Sequence, residues 1–400
     1  MNESVWSPLK VPVYRAFWIC AFLSNIGTWI QDVAASWVMT HLSTSPLVIS
    51  LLSFASSLPV LFLSIPSGLW SDQGHRRKVL LVAQGMMFSA AVLLAYVVWT
   101  DQATAVTVLG LALLAGIGFA LTGPAFQSVL ADLVPTSMQA SAVLVYYMGI
   151  NITRVLGPTM GGGILSAFGP HAAFAVNSMS YLGLIVFFYR WPVQEVKPET
   201  PVVIKESEWV SVFSLSNFKL WAEIFLVTFF ASALWALYPT RGRVELSLGS
   251  LEYGSLLAFL GLGACVSALL SDKIMLPGKT HRSLGGSYLI YAAGVLAIGA
   301  AQGFKLMSVG MFMAGIGWIV LATLMNMSTR QISSKSHLKA TMLGAFFTVF
   351  YAGMALGAVT WGAIARFSTT TAAMSIAGIA LIAIGSWKLR PMRKVEAPVT

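Results

Sequence analysis

Two charged side chains sit where water is scarce: Asp32 within the apolar run 14–40 and Arg154 within the run 139–166. An ion at the centre of a bilayer costs about 3 kcal/mol or more, so each should face a wet cavity or a partner. A carboxylate so placed can take up and release a proton, and a guanidinium can pair with it. At about 1.5 Å per residue, both lie roughly 25 Å from the start of their runs. The expectation is a salt bridge whose partner changes during a working cycle, with Asp32 and Arg154 as the proton-coupling pair. The alternative is a static pair that only fixes helix packing, since buried ion pairs often do nothing more. Glu223, at the head of another apolar run, is a weaker candidate that can snorkel.

The elements that must position these residues are long and apolar. Of the 400 residues, 57% are hydrophobic and 10% charged, against about a quarter charged in soluble domains; lipid must therefore solvate most of this surface. A spanning helix needs about 20 apolar residues. Twelve stretches qualify: 14–40, 47–71, 79–99, 104–131, 139–166, 172–191, 217–240, 250–271, 283–301, 305–328, 340–366 and 370–389. In the first, Asn25, Thr28, Asp32 and Ser36 recur at helical spacing and form one polar stripe.

The net charge of +10 is distributed by topology. Of the 24 Lys and Arg, 19 lie on one set of loops and termini; Arg241, Arg243, Lys305 and Arg366 lie on the other, and Arg154 within a span. Cations gather on the cytoplasmic side, so both termini are expected there, with no nucleic-acid surface. Cys20 and Cys265 fall in apolar runs without metal spacing and read as packing residues. No phosphate-cradling loop ending in Lys-Ser/Thr occurs, the five His are scattered, and no nucleophile–base arrangement appears on the loops. The expectation is no enzyme, no metal and no cofactor. The N-terminus shows no cleavable signal peptide.

The chain also repeats itself. Ala115-Gly116-Ile117-Gly118 in the fourth run returns as Ala314-Gly315-Ile316-Gly317 in the tenth, Ser71-Asp72 as Ser271-Asp272, and Gly157 of the fifth run answers Gly357 of the eleventh. These offsets predict two related bundles, residues 1–191 and 217–400, joined by a cytoplasmic linker at 192–216 with a short surface helix near 207–215.

The loop Gly68-Leu-Trp-Ser-Asp72-Gln-Gly-His-Arg76-Arg77-Lys78 resembles the signature loop between helices two and three of the major facilitator superfamily. That resemblance implies an all-α membrane fold of twelve transmembrane helices in two six-helix bundles related by a pseudo-two-fold axis. It also implies a cytoplasmic latch of Gly68, Asp72, Arg76, Arg77 and Asp132. Gln73 and His75 depart from the usual Arg and Gly. Gly157-Pro158-x-x-Gly161-Gly162 is similar to the motif of drug:proton antiporters, with Thr153 where Gly is usual. Asn151 and Arg154, the Ser24-Asn25-Ile26-Gly27-Thr28-Trp29-Ile30-Gln31 run and Ala131-Asp132-Leu133-Val134-Pro135 resemble a narrower group, the exporters related to the enterobactin exporter and the transmembrane secretion effectors. In the superfamily helices one, four, seven and ten line the cavity, which implies a lining of Asn25, Thr28, Trp29, Gln31, Ser36, Thr122, Gln127, Thr228, Trp235 and Asn326, joined by Tyr146 and Asn151. The implied activity is export of a small amphipathic molecule (a drug, siderophore or hydrophobic metabolite) by proton antiport with alternating access. Its partners would be solute, protons and membrane lipid, and the chain would act as a monomer. A lysophospholipid flippase of the same fold, and a transport-inactive sensor or assembly partner, are the alternatives.

Overall fold

The computed structural model describes residues 4–70, 76–190, 214–270, 280–332 and 339–389. Twelve long helices dominate them: α1 (Pro12–Leu42), α2 (Pro46–Trp70), α3 (Arg76–Trp99), α4 (Ala105–Asp132), α5 (Gln139–Phe168), α6 (Pro170–Arg190), α7 (Leu215–Pro239), α8 (Ser250–Leu269), α9 (Thr280–Ala300), α10 (Phe304–Ile332), α11 (Lys339–Phe367) and α12 (Thr370–Leu389). Among the described residues there is no strand. Eleven of the helices are long and apolar enough to cross a membrane. The exception, α1, carries Asn25, Gln31 and Asp32, which lower its mean hydropathy. Large apolar side chains such as Phe62, Met179 and Ile379 point outward, as a lipid-solvated surface requires.

Local chemistry sets the helix ends. Pro12, Pro46 and Pro170 occupy first helical positions, where the missing N–H is no loss. Thr104 caps α4 by exchanging hydrogen bonds with Thr107, and Glu252 accepts from the Gly249 N–H at 3.1 Å to cap α8. Between α5 and α6 the chain turns at Gly169, whose φ of +81° suits glycine. A six-residue π turn, Thr240–Glu245, closes α7.

The packing explains the sequence repeats. In the first six helices α4 lies against α2 and α3, α3 against α6, and α1 against α5 and α6; in the last six, α10 lies against α8 and α9, α9 against α12, and α7 against α11 and α12. Each contact recurs six helices later. Gly116 approaches the Ser56 carbonyl of α2 and Gly118 the Ala83 carbonyl of α3, while Gly315 approaches the Leu260 carbonyl of α8 and Gly317 the Ser287 carbonyl of α9. Gly157 lets α5 onto α1 as Gly357 lets α11 onto α7. Small residues are repeated because side-chain-free backbone permits each close crossing.

Two seams join the first six helices to the last six: α2 with α11, and α5 with α8. The loop holding Asp72, Gln73 and His75, the 271–279 loop and most of the 192–216 segment, with its expected surface helix, lie outside the described residues.

Candidate functional site

We call the end where α1 begins and α12 ends the terminal face, and the other end the opposite face. Asp32 is enclosed by protein yet exposed to water. Those two properties together fit a carboxylate that faces an accessible space inside the bundle. No described residue makes a hydrogen bond or ion pair with it. The phenols within electrostatic reach are Tyr181 on α6 and Tyr238 on α7, one from each half.

The expected Asp32–Arg154 salt bridge is absent. The register between α1 and α5 explains this. Tyr14 Oη donates to the Ala142 carbonyl at 2.6 Å, Trp18 Nε1 to the Val145 carbonyl at 3.1 Å, and Gly157 and Gly161 lie against Trp29 and Ile30. This pairing puts Arg154 level with Asn25 and Asp32 level with Gly161. Seven residues of helix, about 10 Å, separate the two charges along the axis. Arg154 instead faces the other half, where its charge is felt by Cys265 of α8 and Tyr351 of α11.

The polar stripe of α1 divides between two tasks. Thr28 and Gln31 turn into the α1–α6 interface rather than the expected cavity. There Asn177 Nδ2 donates to Gln31 Oε1 at 2.8 Å and to Tyr181 Oη at 3.1 Å, and the Thr28 and Tyr181 hydroxyls meet at 3.2 Å. Gly27 admits this network, since a Cβ there would collide with Asn177 Oδ1. Asn25 and Trp29 are partly accessible; Asn25 shares a cleft with Trp18, Phe22, Tyr146 and Ile150. Buried Ser36 gathers with the hydroxyls of Tyr238 and Tyr253.

Other expected lining residues sit in helix interfaces. Thr122 accepts from Gln84 Nε2 at 3.4 Å, between α3 and α4. Thr228 is buried between α7 and α11, bonded to the Ile224 carbonyl at 2.8 Å and packed on Gly353. Trp235 packs edge-on to Trp318 with its indole N–H buried and unbonded, and its carbonyl accepts from Ser53 of α2 at 3.3 Å. Tyr146 joins Phe17 and Phe126 in an aromatic cluster. Asn151 receives the Cys265 thiol on its carbonyl, and Asn326 is partly buried. The side chain of Gln127 lies outside the described set.

The opposite face is shut across the two halves. Trp37 of α1 lies under the Arg243 guanidinium, 3.6 Å from ring centroid to Cζ, and 5.9 Å from the Tyr253 ring. Tyr253 stacks in turn on Tyr238 at 5.6 Å. Val33 belongs to the core of the last six helices. Sequence reading misses this closure, although Arg243 is one of only four cations on the sparse set of loops.

At the terminal face Arg76 Nη1 donates to Asp132 Oδ2 at 2.7 Å, and Arg77 Nη2 donates to the Tyr189 carbonyl at 2.5 Å. Gly68 ends α2, with its environment outside the described set. The Gly157-Pro158-x-x-Gly161-Gly162 stretch serves two crossings at once. Gly157 and Gly161 face α1, whereas Gly162 and the Pro158 carbonyl face Gly254 of α8. Thr153, in place of the usual glycine, is fully buried and bonded to the Ile150 carbonyl at 2.7 Å. Glu223, no free carboxylate, pairs with Lys388 at 2.7 Å and accepts from Tyr288 at 3.3 Å. Among the described residues no group of His, Cys, Asp and Glu could hold a metal.

The sequence profile of the transmembrane secretion effectors matches residues 3–397. The chain belongs to that family. Its twelve-helix fold is that of the major facilitator superfamily, and it is a multi-pass membrane transporter. The enterobactin exporter EntS of Salmonella typhimurium is 24% identical over 409 residues, covering 96% of this chain and 94% of the relative. The staphyloferrin A transporter of Staphylococcus aureus is 25% identical over 168 residues, 42% of each chain. Among solved structures, a mutant of the nucleoside transporter NupG superposes with a TM-score of 0.75 at 12% identity, covering 94% of this chain and 98% of that one. A bacterial homologue of the human lysosomal transporter Spinster, in an inward-facing, unoccupied conformation, gives 0.69 at 16% identity, covering 97% and 95%. At such identities these two likenesses speak for the fold alone.

Proposed function

We propose that this family member is a secondary active exporter that moves a small amphipathic solute, of siderophore or drug type, outward in exchange for protons. The observation carrying this reading is Asp32: a carboxylate enclosed by protein, accessible, and without a partner among the described residues. A static structural carboxylate would be paired. One that must load and unload a proton needs an aqueous route and freedom from a fixed cation.

Two six-helix bundles, residues 1–191 and 217–400 with a linker at 192–216, rock about the α2–α11 and α5–α8 seams. The cation bias makes the terminal face cytoplasmic. On that assignment the Trp37–Arg243–Tyr253 closure lies on the outer side, and the state described is inward-facing. Arg76 and Asp132 form part of the cytoplasmic latch that holds the outward-facing state when Asp72 docks. The enterobactin and staphyloferrin names of the relatives support an iron-chelating cargo. Asn25 and Trp29 remain the lining candidates near the level of Arg154.

The test is proteoliposome transport of a solute panel, including ferric-free siderophores and a fluorescent lysophospholipid, under an imposed pH gradient. Export should follow the gradient and collapse in Asp32→Asn. Transport indifferent to the gradient in wild type would sink the antiport reading. Translocation of the lysophospholipid alone would replace the exporter with a flippase.

A further inference from the structure

Arg154 has no counter-ion among the described residues. Among the described residues nothing accepts a hydrogen bond from its guanidinium, and no ion pair includes it. It is partly accessible to solvent, and none of its nitrogens is among the buried, unbonded atoms. The fork therefore opens into the cavity rather than into packed protein. Its level is fixed by backbone. The Arg154 carbonyl sits so close to Gly261 of α8 that a Cβ on that glycine would lie 2.6 Å from it. One helical turn along the bundle, the Cys265 thiol reaches the Asn151 carbonyl at 3.8 Å. The phenol within reach of the charge, Tyr351, belongs to α11 in the other half. A guanidinium on a backbone seated against the other half, accessible and within electrostatic reach of a phenol from that half, makes a candidate anion site across the axis of motion.

We infer that Arg154, assisted by the Tyr351 hydroxyl, binds a carboxylate group carried by the transported solute. This inference rests on the transporter reading above and specifies its cargo as an amphipathic acid. An unpaired guanidinium in a low-dielectric cavity is costly to leave vacant. Its planar fork matches a carboxylate with two parallel hydrogen bonds. Asn25 and Trp29 of α1, partly accessible and near the level of Arg154, would meet the body of the molecule. Asp32, about seven residues further along, is too far to neutralise Arg154 and stays available for the proton. Because Tyr351 and Arg154 lie in opposite halves, a bound carboxylate bridges the halves, and rocking changes its coordination.

Equilibrium dialysis of the purified full-length protein with three radiolabelled probes of equal bulk tests the site: 1-naphthoate, 1-naphthamide and 1-naphthyl phosphate. Wild type should bind naphthoate about tenfold more tightly than naphthamide. Arg154→Gln should erase that preference, Arg154→Lys should keep part of it, and Tyr351→Phe should weaken naphthoate a few-fold. Tyr351→Phe and Arg154→Lys preserve size, so they keep the test decisive should Arg154→Gln fold poorly. No discrimination by wild type, or an undiminished preference in Arg154→Gln, overturns the proposal. Naphthyl phosphate held more tightly than naphthoate also overturns it and assigns the site to a phospholipid headgroup. A carboxylate preference without gradient-driven transport would leave this site standing and remove the antiport reading instead.

Discussion

The two halves share one packing scheme but differ in how they hold the charges within their spans. In the first six helices Asp32 and Arg154 are deep, accessible and unpaired among the described residues. In the last six, Glu223 is tied to Lys388 and Tyr288. Arg241 bonds Glu245 and the carbonyls of Ile298 and Ala301. Repeated glycines show that both halves solve the same crossing problem, so geometry alone does not require the difference. The contrast motivates the proposed division between charge held for structure and charge held for work: an unsatisfied ion can change partners without first breaking a bond.

The sharpest way to break this comparison is to neutralise one carboxylate in each half. Asp32→Asn should reduce gradient-driven transport by about a hundredfold or more while leaving the thermal midpoint near wild type, since no native bond is lost. Glu223→Gln should do the reverse. Removing a charged hydrogen-bond acceptor costs about 1.5–3 kcal/mol, read as a lower melting temperature, with transport per folded molecule within about threefold of wild type. Equal transport losses in both would end the distinction.

Next in size is the α5–α8 seam. A Cβ on Gly254 would lie 2.6 Å from Gly162 Cα and 2.8 Å from the Pro158 carbonyl, with backbone on both sides and nowhere to yield. Gly254→Val should cost about 1–3 kcal/mol and slow transport about tenfold. Gly163→Ala, next to the crossing but with nothing within 4 Å, should be silent. The α2–α11 seam is built differently, from Ser64–Thr348 hydroxyls at 3.2 Å and Gly362 against Ser50. Ser64→Ala should therefore be mild, about 1 kcal/mol. A severe Ser64→Ala would place the tighter pivot there.

The helices are legible in the sequence because lipid forces it. Any segment in hydrocarbon must satisfy its own backbone and be apolar for about 20 residues, so the twelve runs and the repeat can be read directly. The register between α1 and α5 cannot. Counting from the start of each run assumes that neighbouring helices begin level. Here Tyr14 pairs with Ala142, and that stagger carries Arg154 away from Asp32. Facing is hidden for a related reason. Thr28 and Gln31 look like cavity residues on a polar helix, but Asn177 and Tyr181 on α6 recruit them, and no periodicity within α1 announces a polar partner on another helix. Arg243 escapes notice because a cation on the sparse side reads as topology until Trp37 is found beneath it.

The smallest effect on stability concerns the terminal face and carries a directional signature. Arg76 and Asp132 are part-exposed, with side-chain accessibilities of 23% and 39%, so the pair is worth at most about 1 kcal/mol. Its loss should hardly move the melting temperature. If it belongs to a latch, however, either Arg76→Asp or Asp132→Arg shifts the balance between the two facing states, and transport falls several-fold. The combined swap restores the attraction in reversed orientation and should recover part of the rate. Added salt should mimic the single variants in wild type, because exposed pairs are screened. A swap that recovers nothing would reduce these residues to topology-setting charge.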